Sequence, residues 1–322
     1  MRRKKWWVAA ATALLVALVG AITEQIARER DRRRYAQVGR SYDVGGRTLN
    51  LFCSGQGSPT VMFGTFAHQA GFEWTSVQPE VAKFTRACWY DRAGYGWSDP
   101  GPLYRTAGDF VEDLHALLQA ARERPPFVFV GNGDVTLQIR VYQRLYPAEA
   151  AGAVFIDGND VDEGPPPPLA GQPIFRRLFG STALPAARWT VCRVVPAAAR
   201  FGLLRVIGGQ PRRTNRFDLS PEQQIEHAFL SDNATAIPYT QTAQCMQEVS
   251  RQQARLTRDL GSLPLIVLTS DSTQEFLAVQ SRLAALSTRG RLEIVSGQIR
   301  REAIVEGIKR VVDDALRRPE LQ

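Results

Sequence analysis

Short apolar runs alternate with stretches of helical period along most of this chain. Residues 60–63, 87–90, 127–130 and 153–156 are apolar on both alternating faces and are bounded by turn residues. Such runs predict strands buried on both sides, as in a parallel sheet covered by helices. Between them, residues 106–121 place Phe110, Leu114, Leu117 and Leu118 on one helical face. Residues 75–84 and 135–145 read as further helices. Residues 42–44 and 47–53 read as a hairpin around Gly45-Gly46. The alternation resumes late: strand 265–268, helix 273–286, strand 292–295 and helix 302–316. The class is α/β, with a doubly wound, mostly parallel sheet.

The pattern divides the chain. Residues 41–161 form a first part of the core and 262–322 a second. Between them, 162–261 opens on Pro165-Pro166-Pro167-Pro168 and shows helical pieces without a strong strand, which reads as an inserted helical cap. Residues 1–40 stand apart. The uncharged run from Trp6 to Ile22 follows Arg2-Arg3-Lys4-Lys5. At about 1.5 Å per residue it reaches roughly 26 Å, the short end of a bilayer span. A cleaved signal peptide ending near Val19-Gly20-Ala21 is one reading. A signal anchor is favoured, because helix formers continue to Gln37 and Trp6-Trp7 suit a membrane interface. The domain is then expected to be membrane-anchored and extracytoplasmic.

Charge supports this division. The net charge is +8, yet residues 1–40 carry ten Lys/Arg against three Asp/Glu. The basic excess is membrane-proximal and leaves no basic face for nucleic acid. Four cysteines (Cys53, Cys88, Cys192, Cys245) suit two disulfides in an exported domain. The three histidines are scattered and no Cys-x-x-Cys occurs, so neither a metal site nor a cofactor is expected.

The stretch Val128-Phe129-Val130-Gly131-Asn132-Gly133-Asp134-Val135-Thr136 carries the chemistry. An apolar strand enters a helix through a glycine-marked turn, the architecture of a nucleophile elbow, G-x-S-x-G. Together with "VQPEVAKFTRACWYDRAGYGWSDPGP" and "VGNGDVTLQIRVYQRLYPAEAAGAVFID", it resembles the cap-bearing branch of the α/β-hydrolase superfamily. The resemblance covers about residues 42–160 and 262–317. It implies a Ser nucleophile, a His base, an acid and an oxyanion hole of backbone N–H groups. Carried over by position, the nucleophile is Gly133 and the second elbow glycine is Val135. Gln298, in Ser296-Gly297-Gln298-Ile299, replaces the base, and Phe66 falls near the oxyanion-loop glycine. The acid position is Asp271 or Asp157. The resemblance also makes the strands of Cys53 and Cys88 neighbours, implying a Cys53–Cys88 disulfide, with Cys192–Cys245 as the second.

No intact catalytic set is therefore expected. Glycine has no nucleophile, and glutamine does not shuttle a proton as histidine does. Glycine also adopts without cost the positive φ that an elbow nucleophile endures. Val135 is taken to mean that the close strand–helix approach has relaxed. The expectation is a pseudoenzyme that keeps a cleft for a small apolar ligand or a partner. The alternative is an active ester hydrolase with a rearranged set, Asp134 as nucleophile and His68 as base. The sequence leaves oligomeric state open.

Overall fold

The computed structural model describes residues 2–65, 69–162, 220, 223, 245–270 and 273–317. An N-terminal helix α1 (Arg2–Arg34) precedes the core. There follow β1 (Arg40–Asp43), β2 (Thr48–Ser54), β3 (Thr60–Phe63), a 3-10 helix (Gly71–Ser76), α2 (Gln78–Val81) and β4 (Ala87–Tyr90). Then come α3 (Ala107–Ala121), β5 (Phe127–Gly133), α4 (Val135–Leu145) and β6 (Ala150–Gly158). After the inserted region the chain continues with α5 (Gln247–Arg255), β7 (Leu265–Ser270), α6 (Gln274–Ala284), β8 (Gly290–Val295) and α7 (Arg301–Leu316). The strands make one eight-stranded sheet in the order β1-β2-β4-β3-β5-β6-β7-β8. Only the β1–β2 and β2–β4 pairs are antiparallel. This is the doubly wound, mostly parallel sheet expected from the apolar runs.

Period-two alternation within those runs feeds two cores. Met62, Phe129 and Phe155 face α3, α4 and α6, where Leu117, Val141 and Leu283 meet them. Phe63, Val128 and Val130 face the other layer, with Trp74, Ile304 and Ile308 from the 3-10 helix and α7.

Two elements depart from the sequence reading. The helix expected over 75–84 is a 3-10 turn followed by the short α2. Pro79 sits in the first turn of α2, where its missing N–H costs nothing, so the helix starts there rather than earlier. The second departure concerns β5 and β6, which run longer than their apolar cores. Gly131, Asn132 and Gly133 stay paired with β6 although glycine and asparagine are poor strand formers. Pairing overrides propensity here.

Cys53 and Cys88 form a disulfide across directly opposed positions of β2 and β4. Cys245 is also disulfide-bonded, and its expected partner Cys192 lies outside the described residues. The expectation of a membrane-spanning helix is not carried by the structure. The helix α1 forms, but among the described residues no helix is long and apolar enough to cross a membrane. Charged residues bracket an apolar run already at the short end of a span, and Trp6, Trp7, Leu14 and Leu15 are exposed.

The expected cap, 162–261, lies mostly outside the described residues. Its last helix, α5, packs on α3 and α4. Ser250 Oγ accepts from Ala107 N at 2.9 Å and Gln253 Oε1 from Gly108 N at 2.9 Å, satisfying two first-turn amides of α3.

After β4, the buried carboxylate of Asp91 pins the turn-rich loop. It accepts from Gly71 N (2.7 Å), Asn50 Nδ2 (3.0 Å) and Trp97 N (3.1 Å). Burial outweighs these donors and pushes its pKa up to about 6, from an ordinary 3.8. The folded state then holds this proton where the unfolded chain has released it. Asp91 should therefore make the domain lose stability as pH rises from about 4 to about 6. Denaturant melts of parent and Asp91→Asn across that window measure it. The stability of the parent relative to Asp91→Asn should fall as pH rises, and a constant difference would refute the assignment.

Candidate functional site

The site is built where β5 meets α4. All seven residues of β5 are buried, and the strand ends at Gly133 with φ +51°. That is the left-handed backbone expected of an elbow residue, and glycine holds it without strain. The turn is fastened to the end of β6. Gly133 O accepts from Asn159 N (3.2 Å) and Thr136 Oγ1 (2.9 Å), the latter shared with Asn159 O at 2.7 Å.

The close approach at the elbow has not relaxed, contrary to the sequence reading of Val135. Val135 is buried, and a Cβ at Gly131 would lie 2.1 Å from its Cγ1. A Cβ at Gly64 would lie 2.6 Å from the same methyl. The valine fills the space left open by Gly131 of β5 and by Gly64, just past the end of β3. A small apolar cavity of about 20 Å³ lies beside it on the α3/α4 side, lined by Met62, Tyr90, Leu114 and Tyr142 among others, room for about one water.

Asp134 follows Gly133 at the start of α4. Its Oδ1 accepts from Asn159 Nδ2 (2.6 Å) and from Gln247 Nε2 on α5 (3.1 Å). Asp157, one residue before the end of β6, has φ +43°. Its Oδ1 accepts from Thr269 Oγ1 (3.0 Å) and Ser270 N (3.3 Å), which ties it to β7. Beyond it, the buried amide of Gln280 on α6 grips Gly158 from both sides. Oε1 accepts from Gly158 N at 3.0 Å and Nε2 donates to Gly158 O at 2.8 Å. Gln298 is exposed in the turn between β8 and α7, beside Gly297 at φ +73°.

A further group sits at the same sheet edge. Phe63 of β3 pairs with Val130 of β5. Asn132 lies two residues on from Val130 in β5, and Thr65 lies two residues past the end of β3. Both are fully buried. Asn132 Nδ2 approaches Gln69 Oε1 at 3.4 Å, while Asn132 Oδ1 and Thr65 Oγ1 have no hydrogen-bond partner among the described residues. An unpaired buried polar atom costs about 1–3 kcal/mol. The 3-10 helix closes this side through Trp74 Nε1, which donates to Gly64 O at 3.0 Å.

No protein-family model matches the chain. Among curated proteins, it is 23% identical over 150 residues to the uncharacterized protein YbdG of Bacillus subtilis, covering 46% of each chain. It is 29% identical over 123 residues to the "Probable transporter efuK" of Hormonema carpetanum, covering 36% of this chain and 18% of that one. The chain thus matches less than half the length of these relatives. Solved structures match far more of it. An esterase from Thermogutta terrifontis superposes with a TM-score of 0.60 at 16% identity, over 87% of this chain and 96% of that one. Haloalkane dehalogenase DbeA from Bradyrhizobium elkani superposes with a TM-score of 0.61 at 17% identity, over 86% and 98%.

The chain has the α/β-hydrolase fold.

Gly133 lies at the turn from β5 into α4, and Asp157 is the last residue but one of the neighbouring β6. The structure brings together Gly133, Asp134, Asn159 and Gln247. Phe66, His68 and Asp271 lie outside the described residues. Among the described residues, the only three-ligand grouping is Cys53, Cys88 and Glu123, and its sulfurs are spent on the disulfide. Sequence reasoning missed Thr65, Gln69, Asn132 and Gln280. Asn132, a polar residue in a buried strand, was the one readable signal.

Proposed function

We propose that this is an α/β-hydrolase-fold protein without serine-hydrolase chemistry, whose cleft at the carboxyl edge of the sheet binds a small ligand or a partner. One observation supports the reading: Gly133, at the turn from β5 into α4, has φ +51° and no side chain. Asp134 is a poor substitute nucleophile, because Asn159 and Gln247 already hold its carboxylate. The esterase and the dehalogenase share the fold and differ in chemistry, so the fold selects no reaction.

We also read α1 as the membrane attachment of an extracytoplasmic domain. Its exposed Trp6, Trp7, Leu14, Leu15 and Leu18, with a basic cluster before them, support that reading. The disulfide between Cys53 and Cys88 suits export.

The test is direct. Purified protein should hydrolyse p-nitrophenyl esters no faster than a Gly133→Ala control. A fluorophosphonate probe should label no residue. Stoichiometric labelling of any side chain at the sheet's carboxyl edge would overturn the reading.

A further inference from the structure

We infer that β8 is the surface through which two copies of this chain join, extending the sheet across a twofold axis. The inference is independent of what the cleft binds. β8 ends the sheet: it pairs with β7 on one side, and among the described residues no strand lies beyond it. An edge strand leaves a row of backbone N–H and C=O groups open to another strand. Ile294 is 54% exposed there, a large apolar side chain left at the edge.

The pattern along β8 specifies what covers it. Glu293 faces α7, where Arg310 Nη2 donates to it at 2.6 Å, and Arg291 faces α7 through Asp314 at 3.7 Å. Two opposite charges thus share one face, two residues apart. Leu292 and Ile294 alternate with them on the α6 face, where Leu292 packs on the core. About a twofold axis normal to the sheet, two β8 strands run antiparallel and directly opposed residues share a face. An axis through Leu292 sets Arg291 opposite Glu293 of the second copy, and Glu293 opposite its Arg291. On the other face, Ile294 then lies opposite Gly290, which presents no side chain. Moving the axis to Glu293 or to Arg291 sets that residue opposite its own copy, and like charges directly opposed repel. Charges of one sign are a usual way to block an edge. Here the two signs fit the edge to its own copy in a single register. A contact of this kind uses the same surface on both copies and closes at two.

Sedimentation velocity of the full chain in a mild detergent tests this. The parent should be a dimer. Arg291→Glu puts Glu opposite Glu, and Glu293→Arg puts Arg opposite Arg, so each should weaken dimerisation about tenfold or more. Mixed together, these two variants should dimerise again, because each supplies the charges that the other now lacks. Ile294→Lys leaves both charge pairs in place and should also weaken dimerisation about tenfold, lysine being a common guard of edge strands. Its far-ultraviolet circular dichroism should match the parent, since Ile294 is exposed in the single chain. That variant keeps the test decisive if a charge reversal unfolds the chain. A monomeric parent, a dimer that none of the changes weakens, a mixture of the two reversals that stays monomeric, or assembly beyond two copies would each overturn the inference.

Discussion

Replacing Gly131 with alanine should destabilise the domain by about 3 kcal/mol, the upper part of the usual range for overpacking a core. The new Cβ would lie 2.1 Å from Val135 Cγ1 and 2.5 Å from Val135 Cβ. Rotating the valine relieves the first clash but not the second, because Cβ moves only with the backbone. Either β5 or the start of α4 must therefore shift, and both are paired or packed on two sides. The companion variant is Val135→Gly, which on its own should also destabilise by removing a buried side chain beside the existing cavity. Combined with Gly131→Ala it removes the clash. The two changes should therefore be non-additive by more than 1 kcal/mol, the double variant lying above the sum of the singles. Urea melts of the four proteins complete the cycle. Additive effects would mean that α4 can move away from the sheet at little cost, and that the elbow is looser than its geometry.

The same residues show how far the sequence could be read. Buried strands announce themselves by apolar runs, and the elbow by glycines between a strand and a helix. Both signals are local, so the sheet and the turn from β5 into α4 were legible before any coordinates. What Val135 does was not. At the position of a second elbow glycine it suggested a slack turn, whereas it packs against Gly131 of β5 and against Gly64, 71 residues away in the chain. Asn132 stands out as a polar residue in a buried strand, whereas nothing near Thr65 in the chain announces that it is fully buried. Gln280 grips Gly158 across 122 residues, with no local mark to announce it. Pro79 moved a helix start for a reason that was local and readable. The hydrophobic period had outvoted it. Where contacts are local the sequence sufficed, and where they join distant segments it did not.

The second large effect is expected at Arg140 on α4. Its guanidinium is buried, pairs with the buried Asp160 at 3.2 Å, and donates through Nη2 to Thr257 O at 2.9 Å. Thr257 Oγ1 returns a bond to Arg140 O at 2.8 Å. Burial lowers the Arg140 pKa and the Asp160 carboxylate opposes that, which is the balance of a desolvated pair. Arg140→Met keeps most of the volume and removes the charge. It leaves Asp160 in the interior, answered among the described residues by the half-exposed Arg282 at 3.3 Å and the Val161 N–H at 2.7 Å. The expected loss is about 3 kcal/mol, toward the lower end for breaking a buried pair because of that second arginine. Arg140→Met with Asp160→Asn should recover a large part, since the stranded charge is the main cost. The loss should also be localised. The 257 bond fastens the segment after α5, and α5 carries Gln247, which holds Asp134 at the elbow. Hydrogen exchange in Arg140→Met should therefore rise across residues 247–261 and at the start of α4 before it rises in β5 or β6. Uniform loss of protection over the whole sheet would refute this coupling and leave Arg140 as a general stabiliser with no particular hold on the site.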